Sequence, residues 1–211
     1  MNAIDILAKY WGHTQFRLNQ ETIIQQVLQK KDTLALLPTG GGKSICYQIP
    51  TLMQEGICLV ISPLISLMND QTKHLESRKI KSAYITNNMH YSEIKTTLAN
   101  CIYGGIKFLY LSPEKLQNDL VKSHIKDMNV NLITVDEAHC ISEWGHNFRP
   151  SYLHIAKVRK IIPDTPILAL TATATANTIT DIQKNLLFKK ENLVRSTFLR
   201  KNISYKVDNT E

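Results

Sequence analysis

The sequence predicts an α/β fold, a doubly wound and mainly parallel sheet with helices on both faces. Three observations predict it. Short apolar runs rich in β-formers recur along the chain, helical patterns separate them, and the most chemically pointed residues follow directly after the runs. Strands buried on both faces read as unbroken apolar runs, whereas strands with one wet face alternate.

Taken in order, the runs are TLALL (33–37), ICLVI (57–61), SAYI (82–85), KFLYL (107–111), NLITV (131–135) and PILAL (166–170). Helices are expected near 20–29, 43–54, 64–78, 91–103, 114–128, 152–162 and 174–187. Ser112-Pro113-Glu114 has the form of a helix start, with a capping hydroxyl, a proline in the first turn and then an acid. Strand–helix alternation of this kind selects parallel strands joined by crossovers. No repeat or low-complexity tract interrupts the pattern. Residues 1–205 read as one lobe, and 206–211 as the start of a linker.

A chain of 211 residues builds one well-buried domain but not two large ones. Its apolar runs fall short of the ~18 residues of a membrane span. The N-terminus, MNAIDILAKYWG, lacks the basic region and small-residue cleavage site of a secretion signal. A cytoplasmic protein with no membrane partner is therefore expected. The four cysteines, Cys46, Cys58, Cys101 and Cys140, are not spaced as zinc ligands and read as reduced, mostly buried thiols. Lys plus Arg total 25 against 18 for Asp plus Glu, a net charge of +7 that mildly favours polyanionic partners.

The first strand runs into Pro38-Thr39-Gly40-Gly41-Gly42-Lys43-Ser44. Consecutive glycines let backbone N–H groups turn inward onto phosphate oxygens, and the following helix adds its positive end. Lys43 is placed to reach the β- and γ-phosphates of a nucleotide, and Ser44 to hold Mg²⁺. The general phosphate-loop pattern has its first glycine where Leu37 stands here. A later strand ends in Asp136-Glu137, within VDEAH. Two acids at a strand's end are costly without a facing cation, which nucleotide-bound Mg²⁺ supplies. Asp136 is assigned to the metal, and Glu137 to orienting and deprotonating the attacking water.

Directly after these acids comes CISEWGHNFRPSY, residues 140–152. It places Trp144, Phe148 and Tyr152 in a segment with no amphipathic period, broken by Gly145 and Pro150. Large rings in a polar loop either plug a local core or offer faces for bases to stack on.

Together these segments resemble superfamily 2 helicases, and most closely the first RecA-like lobe of the RecQ-family DNA helicases. FRLNQ (16–20) is similar to motif 0, LPTGGGKSICYQIP to motif I, SPLISLMNDQ (62–71) to motif Ia, DEAH to motif II and LALTATAT (168–175) to motif III. CISEWGHNFRPSY resembles the RecQ aromatic-rich loop, the most family-specific of these signals. The resemblance implies that Gln20, Arg17 and His13 hold the adenine, with Gln20 reading its edge. Thr39, Gly40, Gly41, Gly42, Lys43 and Ser44 would then cradle the phosphates. It also implies that Trp144, His146, Phe148, Arg149, His139, Thr171 and Thr173 bind DNA or couple it to the nucleotide. His13 replaces the family's usual tyrosine, Asn147 an aspartate, and Lys201 a proline.

The resemblance further implies ATP with Mg²⁺, 3′-to-5′ translocation on single-stranded DNA, unwinding at duplex junctions, and roles in DNA repair and recombination. The family's second lobe with its arginine finger, its zinc segment and its winged helix are not in these 211 residues. The chain by itself is therefore expected neither to unwind DNA nor to hydrolyse ATP at a useful rate. Two other readings stand beside this one, an RNA-dependent ATPase of the DEAD/DEAH-box kind and a module that only binds nucleotide or a partner.

Overall fold

The structure is a computed structural model and describes residues 1–17, 19–145 and 147–196. Every predicted apolar run forms a strand. These are β1 (Thr33–Leu36), β2 (Ile57–Ile61), β3 (Ser82–Ile85), β4 (Phe108–Leu111), β5 (Val130–Val135) and β6 (Ile167–Thr171). A seventh, β7 (Leu193–Arg195), adds to β1, giving one sheet in the order β3-β4-β2-β5-β6-β1-β7. All six pairings are parallel.

The helices are α1 (Ala3–Trp11), α2 (Gln20–Leu28), α3 (Ile45–Met53), α4 (Ile65–Glu76), α5 (Tyr91–Tyr103), α6 (Asp119–Asp127), α7 (Ile155–Ile161) and α8 (Ala176–Asn185). They cover both faces, so the strands bury alternate residues in two separate cores. In β2, Ile57, Leu59 and Ile61 pack with α5, α6, α7 and α8, while Cys58 and Val60 pack with α2, α3 and α4.

Four expectations are corrected. α1 lies where no helix was expected, although its signals are readable. Asn2 and Asp5 exchange side-chain-to-backbone hydrogen bonds in a capping box, and Gly12 closes the helix in the left-handed region. β7 was also missed, because three residues facing mostly solvent carry no period. The helix expected over 114–128 is a 3₁₀ turn, Pro113–Gln117, and then α6. Ser112 makes no side-chain cap bond. Asn118 caps instead, accepting from Leu120 N at 2.9 Å. The helix near 152–162 likewise divides into a 3₁₀ turn, Pro150–His154, and α7. The linker at 206–211, and Lys201, lie outside the described residues.

All four cysteines are buried and free of disulfides. Burial pushes the thiols of Cys46, Cys58 and Cys101 up to about 12. Among the described residues no helix is long and apolar enough to cross a membrane.

The N-terminal edge of the sheet is held by one buried carboxylate. Asp32 and Arg159 form a two-pronged ion pair at 2.7 and 2.9 Å. The same carboxylate accepts from Ile167 N at 2.9 Å and from Lys189 N at 2.7 Å. It thereby ties β1, α7, β6 and the segment after α8 together, at the opposite end of the strands from the phosphate loop.

Candidate active site

The chemistry gathers where the strands end. β6 lies between β1 and β5, so Thr171 at its tip sits between the loop that follows β1 and the acids that follow β5. Leu37 N donates to Thr171 O at 3.1 Å, and Asp136 N to Ile61 O at 2.9 Å, which ties the end of β1 to that of β6 and the end of β5 to that of β2.

Gly42 has φ of 70°, a region only glycine enters freely, and a Cβ there would strike the Gln20 side-chain nitrogen. The contact is used. Gln20 Nε2 donates to the carbonyls of Gly42 and Gly41 at 3.0 and 3.3 Å, while its Oε1 accepts from Arg17 N at 2.9 Å. Its amide therefore braces the phosphate loop in this structure. Lys43 and Ser44 lie in a turn, with α3 starting at Ile45 and not at Lys43.

Two adjoining cavities share Gly42, Ser44 and Gln71. One, of about 260 Å³, is lined by His13, Arg17 and Gln20 among others. The second, of about 370 Å³, is lined by Gly40, Gly42, Lys43, Ser44, Asp136 and Glu137 among others. Thr39 and Gly41 are not among the lining residues of either.

The acids are held tightly. Glu137 adopts φ of 47° and ψ of 46°, a strained left-handed conformation for a residue with a side chain. Its N–H donates to Asp136 Oδ1 at 3.0 Å, and Tyr152 donates its hydroxyl to Asp136 O at 3.0 Å. Lys43 Nζ stands 4.0 Å from Glu137 Oε1, and His139 Nδ1 3.3 Å from Glu137 Oε2. His139 Nδ1 is also 3.0 Å from Thr171 Oγ1. The single proton of Thr171 goes to Thr173 O at 3.0 Å, so His139 Nδ1 is the donor in that contact. Thr173 N returns a bond to Thr171 Oγ1 at 3.3 Å. A continuous polar path thus runs from Lys43 through Glu137 and His139 to Thr171 and Thr173.

Burial first, and the neighbouring Glu137 second, push the Asp136 carboxyl from 3.8 up to about 6. Its folded pKa is raised, so its stabilising contribution is present below about pH 4 and is lost as pH rises through about 6. At neutral pH the ionised carboxylate opposes folding. Asp136→Asn keeps the acceptor for Glu137 N–H and removes the charge. It should stabilise the protein by about 1–2 kcal/mol at pH 8, after discounting for partial solvent access, or ~3–6 °C in Tm. The gain should shrink at pH 5. Melting curves of both proteins at the two pH values check this, and a mutant that melts no higher at pH 8 would refute it.

The aromatic segment starts at this site and turns outward. Gly145 packs so closely on His139 O and Ser142 O that a Cβ has no room. Trp144 N donates to Ser142 Oγ, which donates to Asp181 at 2.7 Å, and Arg149 N donates to Cys140 O at 2.8 Å. With the base fixed this way, the Trp144 side chain stands 69% exposed, Phe148 is half-buried and Tyr152 is fully buried. Trp144 therefore plugs no core. Arg149 Nη1 donates to Pro63 O at 3.2 Å, a partner sequence reasoning did not foresee. His146 lies outside the described residues.

The DEAD/DEAH box helicase family model matches residues 17–182. The chain belongs to this family. The helicase domain is 44% identical over 205 residues to the probable ATP-dependent DNA helicase RecS of Bacillus subtilis, covering 96% of this chain and 41% of that protein. It is 46% identical over 207 residues to the ATP-dependent DNA helicase RecQ of the same organism, covering 97% and 35%. The chain thus spans about two fifths or less of the length of these two relatives. Its fold matches that of the DUF1998 helicase MrfA, solved bound to DNA, with a TM-score of 0.71 over 93% of this chain and 29% of that one at 17% identity. At that identity only the RecA-like fold carries over.

Proposed function

We propose that this domain is the ATP-binding lobe of a RecQ-type ATP-dependent DNA helicase, which couples hydrolysis to 3′-to-5′ movement on single-stranded DNA and to unwinding at duplex junctions. The observation that carries the reading is the polar path from Lys43 through Glu137 to His139 and Thr171, with an exposed tryptophan on the loop that starts from the same acids. The site suits a magnesium–nucleotide complex. Its two acids stand side by side, Asp136 buried so that its carboxyl is raised, and a phosphate-type loop with Lys43 lines the same cavity. When bound, ATP with Mg²⁺ supplies the phosphoryl group and a cation.

Within that reading, Ser44 and Asp136 hold the metal and Lys43 faces the β- and γ-phosphates. Glu137 accepts the proton of the attacking water at its carboxylate. Lys43 and His139 flank that carboxylate and fix where it points. His13 and Arg17 border the cavity for the base, with Gln20 between base and loop. A second RecA-like lobe is the partner that supplies an arginine to the developing charge. Bases stack on Trp144 and Phe148, and His139, Thr171 and Thr173 relay contact to Glu137.

The test is ATP hydrolysis by the whole helicase with and without single-stranded DNA, and with RNA in its place. Stimulation by DNA and not by RNA supports the proposal, and the reverse overturns it. Trp144→Ala should cut DNA stimulation about ten-fold, within the ~1–3 kcal/mol of one lost base stack. Its Tm should be unchanged, because the ring is exposed. Loss of Tm together with all activities would make Trp144 structural.

A further inference from the structure

The proposed function leaves unexplained how the aromatic loop reaches the phosphate loop from the side of α4. Arg149 does not point at the acids. Its guanidinium holds Pro63 O, two residues before α4 begins. From there α4 runs twelve residues, about 18 Å, back along the sheet. Midway along it stands Gln71, whose side chain borders both cavities.

Gln71 Oε1 accepts from Gln48 Nε2 at 3.3 Å and from Tyr47 Oη at 3.4 Å. Both donors lie on α3 and both are buried. Tyr47 Oη lies 3.2 Å from Tyr110 Oη, so the hydrogen-bond chain runs from Tyr110 through Tyr47 to Gln71. The Gln48 amide also meets the Tyr110 hydroxyl, so Tyr47, Gln48, Gln71 and Tyr110 form one buried polar cluster between α3, α4 and β4. Displacing α4 therefore breaks two buried hydrogen bonds to α3 at once, which favours moving the two helices together. α3 starts one residue after Ser44, so it carries the phosphate loop with it.

We infer that Gln71 is a positioning residue, and that it passes movement of α4, gripped at its start by Arg149, to the phosphate loop through Tyr47 and Gln48. The inference rests on the DNA-stimulated ATPase reading above. It describes a second route beside the one through His139 and Thr171. One runs through Arg149 and the other through His139, and they reach the nucleotide cavity at Gln71 and at Glu137 respectively.

The experiment measures the ratio of DNA-stimulated to DNA-free ATP turnover in the whole helicase. Gln71→Met keeps length and shape but has no acceptor for the two donors. Tyr47→Phe keeps the ring and removes one donor, and serves as a second variant should the first fold poorly. Each should lower the ratio about five-fold or more, at the low end of ordinary coupling between sites. Combining Gln71→Met with Arg149→Ala should lower it no further than the worse single change, since both cut one route. By contrast, Gln71→Met combined with Thr171→Val should give the product of the two single losses.

An unmoved ratio in Gln71→Met and Tyr47→Phe, beside a wild type that DNA stimulates, overturns the inference and leaves the proposed function standing. Multiplying losses in the Gln71→Met/Arg149→Ala pair overturn it too. A wild type that DNA does not stimulate overturns the proposed function, and this inference with it.

Discussion

ATP turnover by Lys43→Ala and by Glu137→Gln should each fall on the order of 100-fold or more, the scale of losing one preorganised charged group or the proton acceptor. The two should differ in binding. Lys43 is the cation that faces Glu137 at 4.0 Å, so its loss leaves the acids with less offset and weakens nucleotide binding as well as turnover. Glu137→Gln keeps shape and hydrogen-bonding reach, and removes proton acceptance only. Nucleotide should therefore bind Glu137→Gln at least as well as wild type, because one negative charge has left the site. Both proteins should fold, since these side chains are partly solvent-exposed and belong to no packed core. Nucleotide titration beside single-turnover hydrolysis separates the roles. A Glu137→Gln protein that loses binding and turnover equally would make Glu137 a metal ligand, and a Lys43→Ala protein with ordinary turnover would remove the phosphate-loop assignment.

Asp32→Ala should be the most damaging single change to stability, although Asp32 is remote from the chemistry. Removing it leaves the Arg159 guanidinium buried and unpaired, and strands the N–H groups of Ile167 and Lys189. Breaking a buried pair from one side costs about 3–5 kcal/mol. For a domain of this size that is a fall in Tm of roughly 6–20 °C. Arg159→Met should cost less, because Asp32 keeps its two backbone donors. Thermal melts of both variants check the order, and equal or negligible losses would show that the clamp contributes little. Nucleotide affinity measured well below the melting transition should not change, since no atom of the clamp borders either cavity.

Lys43, Asp136 and Glu137 were legible because their chemistry is local. A phosphate loop needs glycines and a cation within a few consecutive residues, and an acid pair needs a strand that ends abruptly. Trp144 was legible as an oddity, a ring too large for a polar loop, but composition could not choose between a stacking face and a core plug. Its 69% exposure excludes a core plug among the described residues. Gln20 was assigned to adenine by resemblance. Its sequence position held no sign that its amide also braces the carbonyls of Gly41 and Gly42, which lie more than twenty residues away.

The sequence by itself determined the alternation of β1 to β6 with the helices between them, the sheet's parallel character and the residues at the tips of β1, β5 and β6. Burial on both faces writes an unbroken apolar run, and that signal depends on each strand alone. The tertiary structure alone decided that β6 lies between β1 and β5, which brings His139 of one segment onto Thr171 of another. It alone decided that Arg149 grips Pro63, that Gln71 receives Tyr47 and Gln48, and that Asp32 closes on Arg159 across 127 residues. The reason is common to all of these. Such contacts are satisfied by partners distant in the chain, and a polar side chain carries no local mark of which distant donor or acceptor the folded sheet will place beside it.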